Sequence, residues 1–305
     1  MIRFLPAFFL VSLGIGPGEI TFAQEPPAAT ASPTEIDVFV FAGQSNMVGF
    51  DADAEELPAD ERDERVLFWY SVGAPPPDSY DSTSKRSWTT LGTQPKGNPP
   101  PYNSQSRQYG NFKHASGFGP EIGFARTLLD ESGETSSKSP AFAILKVAYS
   151  GTSVEKDWDP RQADEPESCY AALLREVRLA SEQALTQGYK LRPAGFFWIQ
   201  GESDSYGERL EFYENRLHQM LLCLREDLKA TGLPCFLGVN TRFGEGRNQG
   251  MPRIIAQQKS LAQLPSIAYV DTSKATIANP QHYDSKGTLH VGELIAKAYL
   301  LMGSR

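Results

Sequence analysis

Short apolar runs recur along the chain and alternate with segments of helical periodicity. The runs are short and rich in β-branched and aromatic residues, which is typical of strands. They lie at residues 36–42, 141–148, 194–199, 235–239 and 266–270. Strands that are apolar on both faces occur in parallel sheets covered by helices, so the pattern predicts an α/β sandwich.

Between these runs, apolar residues return at spacings of three and four, which is the spacing of an amphipathic helix. The periodicity predicts helices over residues 170–184, 210–228 and 291–298. In parallel α/β sheets, ligands bind beyond the carboxyl ends of the strands. We therefore expect the functional residues in the loops that follow the apolar runs.

The first 23 residues have the composition of a secretory signal peptide. Arg3 precedes an apolar run over residues 4–15, and residues 21–23 offer a cleavage site. The Gly-Pro-Gly at 16–18 ends this run before the roughly 20 apolar residues that a membrane span needs. A buried helix is the alternative interpretation. The mature protein is expected to be exported, to the periplasm or beyond in a bacterium, with no membrane span.

Two irregular segments follow, a leader before the domain and an insert within it. Residues 24–35 are rich in Pro, Ala, Ser and Thr and predict a flexible leader before a single domain at 36–305. Within that domain, residues 71–118 predict a long insert loop. Its Trp88 and Tyr109 suit a sugar-contacting wall, although a solvated excursion is an equally good interpretation.

Charge and cysteine content narrow the possible functions. A formal net charge of −8 argues against nucleic acid as a partner. The three cysteines cannot all pair, because their number is odd. Cys223 and Cys235 could form a disulfide and leave Cys169 free, but buried thiols are the simpler expectation.

The stretch VFVFAGQSNMVGF places Ser45 just beyond the first predicted strand. A helix that begins near Ser45 would direct free N–H groups toward a ligand. A lone serine at this position is more often only a helix cap. The neighbouring Gln44 and Asn46 are predicted to bind substrate.

Three later clusters follow three later strands, and each has a structural and a functional interpretation. YSGTSVEKDWDP contains Gly151, whose N–H could approach a ligand, and Trp158, which could stack on a sugar. WIQGESD contains Gln200 and Glu202, and NPQHYDSKG contains His282. The structural alternatives are an ordinary turn for the first cluster and an acidic first helical turn for the second.

Together these residues meet the requirements of acyl transfer. A nucleophilic serine needs a base within hydrogen-bond reach, and His282 is the histidine that lies in a loop at the correct end of the sheet. The developing oxyanion needs fixed donors, which the N–H of Gly151 and the amide of Gln200 could supply. The chain has no G-x-S-x-G elbow, so it is not a lipase-like hydrolase.

The blocks FAGQSNMVG, KVAYSGTSVEKDW, WIQGESD and HYDSKGTLHVGELIA resemble those of the SGNH-type carbohydrate acetylesterases. In particular, they are similar to the sialate O-acetylesterase-like domain and to carbohydrate esterase family six, over residues 36–302. The resemblance implies a flavodoxin-like three-layer α/β/α fold and removal of O-acetyl groups from sugars without metal or other cofactor. It also implies Ser45 as nucleophile, His282 as base, and an oxyanion hole formed by the N–H groups of Ser45 and Gly151 and by Gln200.

One position departs from the family pattern. The family usually carries Asp-x-x-His in its last block, and here Asn279 occupies the position of the aspartate. An amide cannot stabilise an imidazolium by charge. Glu202 is therefore predicted to orient His282, since some relatives use this glutamate, with Asp204 and Asp271 as alternatives. Asp284 is too near His282 in sequence to be a comfortable partner.

The sequence thus predicts an exported serine O-acetylesterase that acts on an acetylated carbohydrate through an acetyl-enzyme. A non-catalytic carbohydrate-binding module on the same fold is the main alternative, because Asn279 carries no charge. A xylan or pectin deacetylase is a further enzymatic interpretation beside a sialate esterase. The residues do not choose among xylose, uronic acid and sialic acid.

Overall fold

A largely parallel sheet forms the centre of the computed structural model, which describes residues 32–98, 112–132 and 139–303. The predicted signal peptide, most of the predicted leader and Tyr109 lie outside the described residues. The strands, in chain order, are β1 (Thr34–Gly43), β2 (Val66–Gly73), β3 (Ser82–Thr83), β4 (Thr89–Thr90), β5 (Gln94–Pro95), β6 (Ser116–Gly117), β7 (Phe142–Tyr149), β8 (Tyr189–Ile199), β9 (Cys235–Gly238) and β10 (Ile267–Tyr269).

The strand order across the sheet is β10-β9-β8-β1-β7-β2-β3, and β1 lies near the centre. The strands from β10 to β2 are parallel to one another, whereas β3 and β4 both pair with β2 in the antiparallel direction. At the carboxyl edge, Gly43 at the end of β1 is in register with Ala148 of β7 and Ile199 of β8. The loops after these three strands therefore start side by side.

Helices cover both faces of the sheet. They are α1 (Ser45–Val48), α2 (Glu121–Ser132), α3 (Cys169–Thr186), α4 (Gly207–Asp227), α5 (Met251–Leu261) and α6 (Ser285–Gly303). One apolar core packs the sheet against α3, α4 and α5, and a second core packs the opposite face against α1, α2 and α6. The predicted three-layer α/β/α sandwich with a central parallel sheet is confirmed.

The predicted insert at 71–118 is less irregular than expected. Its first residues belong to β2, a strand whose continuous apolar run, VLFWYSV, the sequence analysis overlooked. The short strands β3 and β4 then return along β2, and β5 pairs with β6. The insert is thus attached to the main sheet through β3 and β4, whereas β5 and β6 form a separate two-stranded sheet.

A buried ion pair braces the first turn after β1. Lys146 of β7 is fully buried, and its Nζ lies 2.9 Å from Oε1 of Glu121, from Oε1 of Gln94 and from the carbonyl oxygen of Val48. Burial lowers the pKa of the Lys146 amine, although the Glu121 carboxylate opposes that shift. The contact to Val48 places a cation at the carboxyl end of α1, where the helix carbonyls favour one.

The three cysteines are free thiols, so Cys223 and Cys235 are not paired. Cys169 and Cys235 are buried, as expected for cysteines that pack as small apolar groups. Within the described ranges, no helix is both long and apolar enough to cross a membrane.

Candidate active site

Ser45 is the first residue of α1 and lies directly beyond the carboxyl end of β1. The chain turns there because Gly43 has φ +146°, and a Cβ at this position would lie 2.3 Å from the carbonyl oxygen of Ile199. The same carbonyl accepts a hydrogen bond from the N–H of Gln44 at 3.1 Å. Gly43, the first residue of GQSN, thus lets the serine loop pack against the neighbouring strand.

A cavity of about 560 Å³ opens at this edge of the sheet. Four of the predicted site residues line it together: Ser45, Gly151, Glu202 and His282. Gln44 lines it as well, and its Oε1 accepts a hydrogen bond from the N–H of Ser203 at 3.4 Å. The loops after β1, β7 and β8 and the loop before α6 therefore meet at one cavity, as parallel-sheet topology predicts.

The ring of His282 is held by Asp51. Nδ1 of His282 lies 2.7 Å from Oδ2 of Asp51, whose side chain is almost fully buried. The ring also packs against Phe50, with 4.7 Å between the ring centroids. A carboxylate on Nδ1 fixes the imidazole tautomer and leaves Nε2 free to act as a base.

Asn279 and Lys113 complete the surroundings of Asp51. The Nδ2 of Asn279 donates to Oδ2 of Asp51 at 2.8 Å, and Nζ of Lys113 lies 2.9 Å from Oδ1. Burial acts to raise the pKa of Asp51, but the hydrogen bonds from His282, Lys113 and Asn279 outweigh it and hold that pKa below its ordinary range. Asp51 is therefore a stable carboxylate beside His282.

Asn279 also shapes the histidine loop. Its Oδ1 accepts hydrogen bonds from the backbone N–H groups of Gln281 at 2.9 Å and His282 at 3.0 Å. The amide thus bridges the loop backbone to Asp51, using its oxygen for the loop and its nitrogen for the carboxylate. An aspartate could not make the second contact while ionised, because it carries no donor.

Glu202, predicted to orient His282, makes different contacts in the structure. Its Oε1 accepts hydrogen bonds from Nδ2 of Asn46 at 2.7 Å and from the N–H of Asn240 at 3.2 Å. Burial raises the pKa of Glu202, although these hydrogen bonds oppose the shift. Asp271, one of the alternatives, accepts a hydrogen bond from the N–H of Ser273 instead. Asp284, which was judged too near His282 in sequence, accepts one from the N–H of Gly287.

Asn46, predicted to bind substrate, is buried and hydrogen-bonds to the histidine loop. Its Nδ2 donates to the carbonyl oxygen of Gln281 at 3.0 Å, besides Glu202, and its Oδ1 accepts from the N–H of Tyr283 at 3.1 Å. Both hydrogen-bonding ends of the amide are therefore engaged with the residues on either side of His282. The asparagine of GQSN ties the serine loop to the histidine loop.

Gln200, predicted in the oxyanion hole, is fully buried beneath the cavity. Its Nε2 donates to the carbonyl oxygen of Thr152 at 3.0 Å and to Oδ2 of Asp204. Asp204 also accepts from the N–H of Val154 at 3.0 Å, and burial raises its pKa to about 6. Gln200 and the alternative acid Asp204 thus fix the loop that carries Gly151, rather than facing the cavity.

The two tryptophans that were predicted to contact sugar lie in the core. Trp158 is fully buried and packs edge-on against Trp198, with 5.1 Å between ring centroids. Trp88 packs against Trp69, and its Nε1 donates to the carbonyl oxygen of Ala180 at 3.0 Å. Both tryptophans therefore support packing in this structure and do not line the cavity.

The aromatic residues at the cavity were missed by the sequence analysis. They are Phe50, Tyr206 and Phe243, and Arg209 lies beside them. Tyr206 and Arg209 follow WIQGESD closely, so their proximity to that block was an available signal. Asp51 was missed although it lies six residues after Ser45, directly beyond the first block.

Among the described residues, no group of three or more His, Cys, Asp or Glu side chains is arranged to hold a metal ion. The polar side chains of the site are instead committed to one another. Asp51, Asn279, Asn46 and Glu202 form hydrogen bonds that fix the positions of the serine and histidine loops.

A sequence model described as carbohydrate esterase, sialic acid-specific acetylesterase, matches residues 35–301. No curated protein gives a significant match to the chain. Among solved structures, the chain is similar to a protein from Arabidopsis thaliana, with TM-score 0.62, 17% identity and coverage of 88% of this chain and 98% of that one.

Two further structures show the same fold. NanS gives TM-score 0.57 and 18% identity, with coverage of 90% of this chain and 99% of that one. A carbohydrate acetylesterase from Xanthomonas citri gives TM-score 0.55 and 18% identity, over 86% of this chain and 55% of that one. At these identities the likeness bears on the fold.

Proposed function

The chain belongs to the carbohydrate esterase family of sialic acid-specific acetylesterases, and we propose that it removes O-acetyl groups from carbohydrates with Ser45, His282 and Asp51 as its catalytic residues. Membership makes it a carboxylic ester hydrolase and agrees with the resemblance of its sequence blocks. The observation that carries the mechanism is the 2.7 Å contact between Nδ1 of His282 and the buried Asp51, at the cavity that Ser45 lines.

In the proposed mechanism, Nε2 of His282 removes the proton from Oγ of Ser45 as Oγ attacks the acetyl carbonyl. The sugar oxygen then leaves with the proton from Nε2, and an acetyl ester remains on Ser45. Water attacks this ester by the same route and releases acetate. Asp51 stays ionised throughout and stabilises the imidazolium that forms twice in the cycle.

Backbone donors are proposed to stabilise the oxyanion. Ser45 begins α1, so its N–H has no acceptor within the helix, and Gly151 sits in the turn after β7 with φ +76°. Each well-placed donor contributes roughly 3 kcal/mol to such a transition state. Gln200 supports this arrangement from below by holding the carbonyl of Thr152. The substrate-binding role of Gln44 stays a proposal that rests on its place in the cavity wall.

The contact with Asp51 also bears on the alternative of a non-catalytic binding module. That alternative rested on the missing charge at Asn279, and Asp51 offers a carboxylate to the same histidine. A serine, a histidine and a buried carboxylate at one cavity favour catalysis over binding alone. Comparison of acetylated sialic acid with acetylated xylan as substrates identifies the glycan that the enzyme uses.

Acetate release from acetylated sialic acid, acetylated xylan and p-nitrophenyl acetate tests the proposal. We expect wild-type turnover, loss of activity in both Ser45→Ala and His282→Ala, and an acetyl group on Ser45 that mass spectrometry detects when wild-type turnover is quenched with acid. Activity of Ser45→Ala equal to wild type would refute the assignment of the nucleophile. A folded wild-type protein that binds sugar but releases no acetate would support the binding module.

We further propose that the protein is exported, on the basis of the apolar run at 4–15 and the cleavage site at 21–23. Sequencing of the N-terminus of protein recovered from the native envelope or medium tests this. We expect a mature N-terminus near Gln24, and intact Met1 on that material would contradict it.

A further inference from the structure

A second cavity, of about 600 Å³, adjoins the catalytic one. The two cavities share three lining residues: Tyr206, Phe243 and Gln281. Both volumes lie in the range of roughly 300–1,000 Å³ that is usual for ligand sites. Because these three residues line both cavities, a ligand that reacts at Ser45 and extends past them reaches the second cavity.

Tyr206 is the residue that joins the two cavities. It lies at the cap position before α4, and 58% of its surface is exposed, although it is a large aromatic residue. An exposed ring contributes little to the core, whereas a flat apolar face beside a polar rim suits the C–H face of a pyranose. Tyr206 therefore has the position and exposure of a stacking platform.

The second cavity is built from fixed loops. Asn248 is buried, donates from Nδ2 to Oγ of Ser205 at 2.6 Å and accepts at Oδ1 from the N–H of Gly250 at 2.9 Å. The N–H of Gly244 donates to the carbonyl oxygen of Pro280 at 2.8 Å, which ties this wall to the histidine loop. The cavity is therefore held in register with His282 before any ligand arrives.

The polar lining matches the needs of sugar hydroxyls. The exposed side chains of Gln249 and Gln281 offer amide donors and acceptors, and Arg247 adds a guanidinium. Such mixed aromatic and planar polar linings distinguish a sugar subsite from a pocket for an acyl chain, which needs a continuous apolar wall. The second cavity thus fits the alcohol part of the ester and not the acid part.

We propose that this second cavity is a subsite for the sugar residue next to the acetylated one, so that the enzyme prefers oligosaccharide or polysaccharide esters to single sugars. The inference rests on the proposed esterase function and deepens it. Stacking on Tyr206 and hydrogen bonds from Gln249 hold the neighbouring ring, while the acetylated ring occupies the catalytic cavity.

A third cavity, beside α4, is not continuous with the catalytic cavity. It is lined by Phe212 and Arg216 of α4, together with Glu155, and it shares no lining residue with the catalytic cavity. Arg209, which lines the catalytic cavity, lies 3.6 Å from Glu155 at the border between them. Phe212 is half-exposed like Tyr206 and so provides a matched control.

The experiment compares pairs of esters that carry the same acetyl group on a free sugar and on an oligosaccharide. Suitable pairs are acetylated xylose with acetylated xylotriose, and acetylated N-acetylneuraminic acid with acetylated sialyllactose. For at least one pair, we expect kcat/KM of the wild type to be about tenfold higher on the oligosaccharide. Tyr206→Ala and Gln249→Trp should bring this ratio close to one, whereas Phe212→Ala should preserve it.

A ratio near one in the wild type for both pairs would overturn the subsite while leaving the esterase function intact. Equal ratios in the wild type, Tyr206→Ala and Gln249→Trp would overturn it as well. If no ester is hydrolysed, the proposed function fails, and the subsite is tested by calorimetric binding of xylotriose and sialyllactose to Ser45→Ala. The subsite would be supported if Ser45→Ala binds either oligosaccharide, and if adding Tyr206→Ala weakens that binding whereas adding Phe212→Ala does not. It would be refuted if Ser45→Ala binds neither oligosaccharide.

Discussion

Asp51 and His282 lie 231 positions apart in the chain, yet Oδ2 of Asp51 is 2.7 Å from Nδ1 of His282. The acid therefore comes from the serine loop and not from the histidine loop. Asn279 occupies the position from which relatives of this type usually supply the acid, and it donates a hydrogen bond to Asp51 instead. In this structure the histidine ring thus contacts a carboxylate of the serine loop, and the amide at position 279 contacts that carboxylate.

Asp51→Asn should lower kcat strongly and leave KM nearly unchanged. Replacing the aspartate of a serine-protease triad with asparagine lowers kcat by roughly four orders of magnitude, since the imidazolium is no longer stabilised. Steady-state kinetics on p-nitrophenyl acetate measures the effect. Asp271→Asn is the matched control, because Asp271 is an exposed acid that accepts a hydrogen bond from the N–H of Ser273. Full activity of Asp51→Asn would show that another group orients His282.

Asn279→Asp should reduce activity, although it restores the residue usual in the family. Nδ2 of Asn279 lies 2.8 Å from Oδ2 of Asp51, so the substitution sets two carboxylates against each other. Two carboxylates at this distance repel each other, which raises the pKa of one of them and pushes the two side chains apart. The pH dependence of kcat measures this. A gain of an order of magnitude in kcat would mean that Asp51 does not serve as the acid.

The double variant Asp51→Asn with Asn279→Asp exchanges the two side chains. It keeps one carboxylate and one amide beside the histidine, so we expect it to be more active than Asp51→Asn alone. Comparison of the single and double variants in a double-mutant cycle gives the coupling between the two positions. Strictly additive losses would show that position 279 cannot supply the acid in this chain.

Glu202 should act through its oxygen acceptor and not through its charge. Oε1 accepts from Asn46 and Asn240, and an unpaired buried donor costs about 1–3 kcal/mol. Glu202→Gln keeps an acceptor and should retain most of the activity, whereas Glu202→Ala should lower kcat by about tenfold or more. Equal and severe losses in both variants would restore Glu202 as the acid that orients His282.

The sequence predicted the architecture well because strand burial and helical periodicity are local signals. The carboxyl-edge rule then brought Ser45, Gly151, Glu202 and His282 to one cavity before any coordinates were considered. Side-chain partners were predicted less well. Which acid meets His282 depends on the path of the loop from Gly49 to Asp51, and that path is set by packing and not by periodicity.

The positions of the aromatic residues were predicted poorly. Trp88 and Trp158 lie in segments rich in Pro, Gly and polar residues, which favoured a surface position, yet both are buried against other tryptophans. Tyr206 was not predicted at the site, because a single tyrosine before a helical pattern carries no periodic signal. Burial of a large ring depends on contacts distant in sequence, so composition around it is a poor guide.

Trp88→Ala should therefore lower stability without changing substrate choice. Truncation of a buried tryptophan destabilises a protein by about 3–5 kcal/mol, and here it also removes the hydrogen bond to Ala180. We expect a lower melting temperature and an unaltered ratio of kcat/KM between an acetylated oligosaccharide and p-nitrophenyl acetate. A selective loss on the oligosaccharide would return Trp88 to the substrate wall predicted from the sequence.

Asp204 should make the protein less stable as the pH rises from about 4 to 6. Burial raises the pKa of Asp204 to about 6, whereas an aspartate in the unfolded chain titrates near 3.9. Between these values the folded state binds more protons than the unfolded state, so stability from this group is fully present below about pH 4 and is lost as pH rises. The difference between these two pKa values corresponds to about 3 kcal/mol over the whole titration.

Asp204→Asn removes this titration and isolates its effect. The difference in free energy of unfolding, variant minus wild type, should increase by about 2 kcal/mol between pH 4 and pH 7, whatever its value at pH 4, because the aspartate of the unfolded chain is already about half ionised at pH 4. Urea unfolding at several pH values gives this difference, and Asp271→Asn is the control, because hydrogen bonds from Ser273 lower the pKa of the exposed Asp271 instead. A difference that does not change with pH would show that Asp204 is ionised in the folded protein throughout this range. Its hydrogen bonds from Gln200 and Val154 would then outweigh the cost of burying the charge.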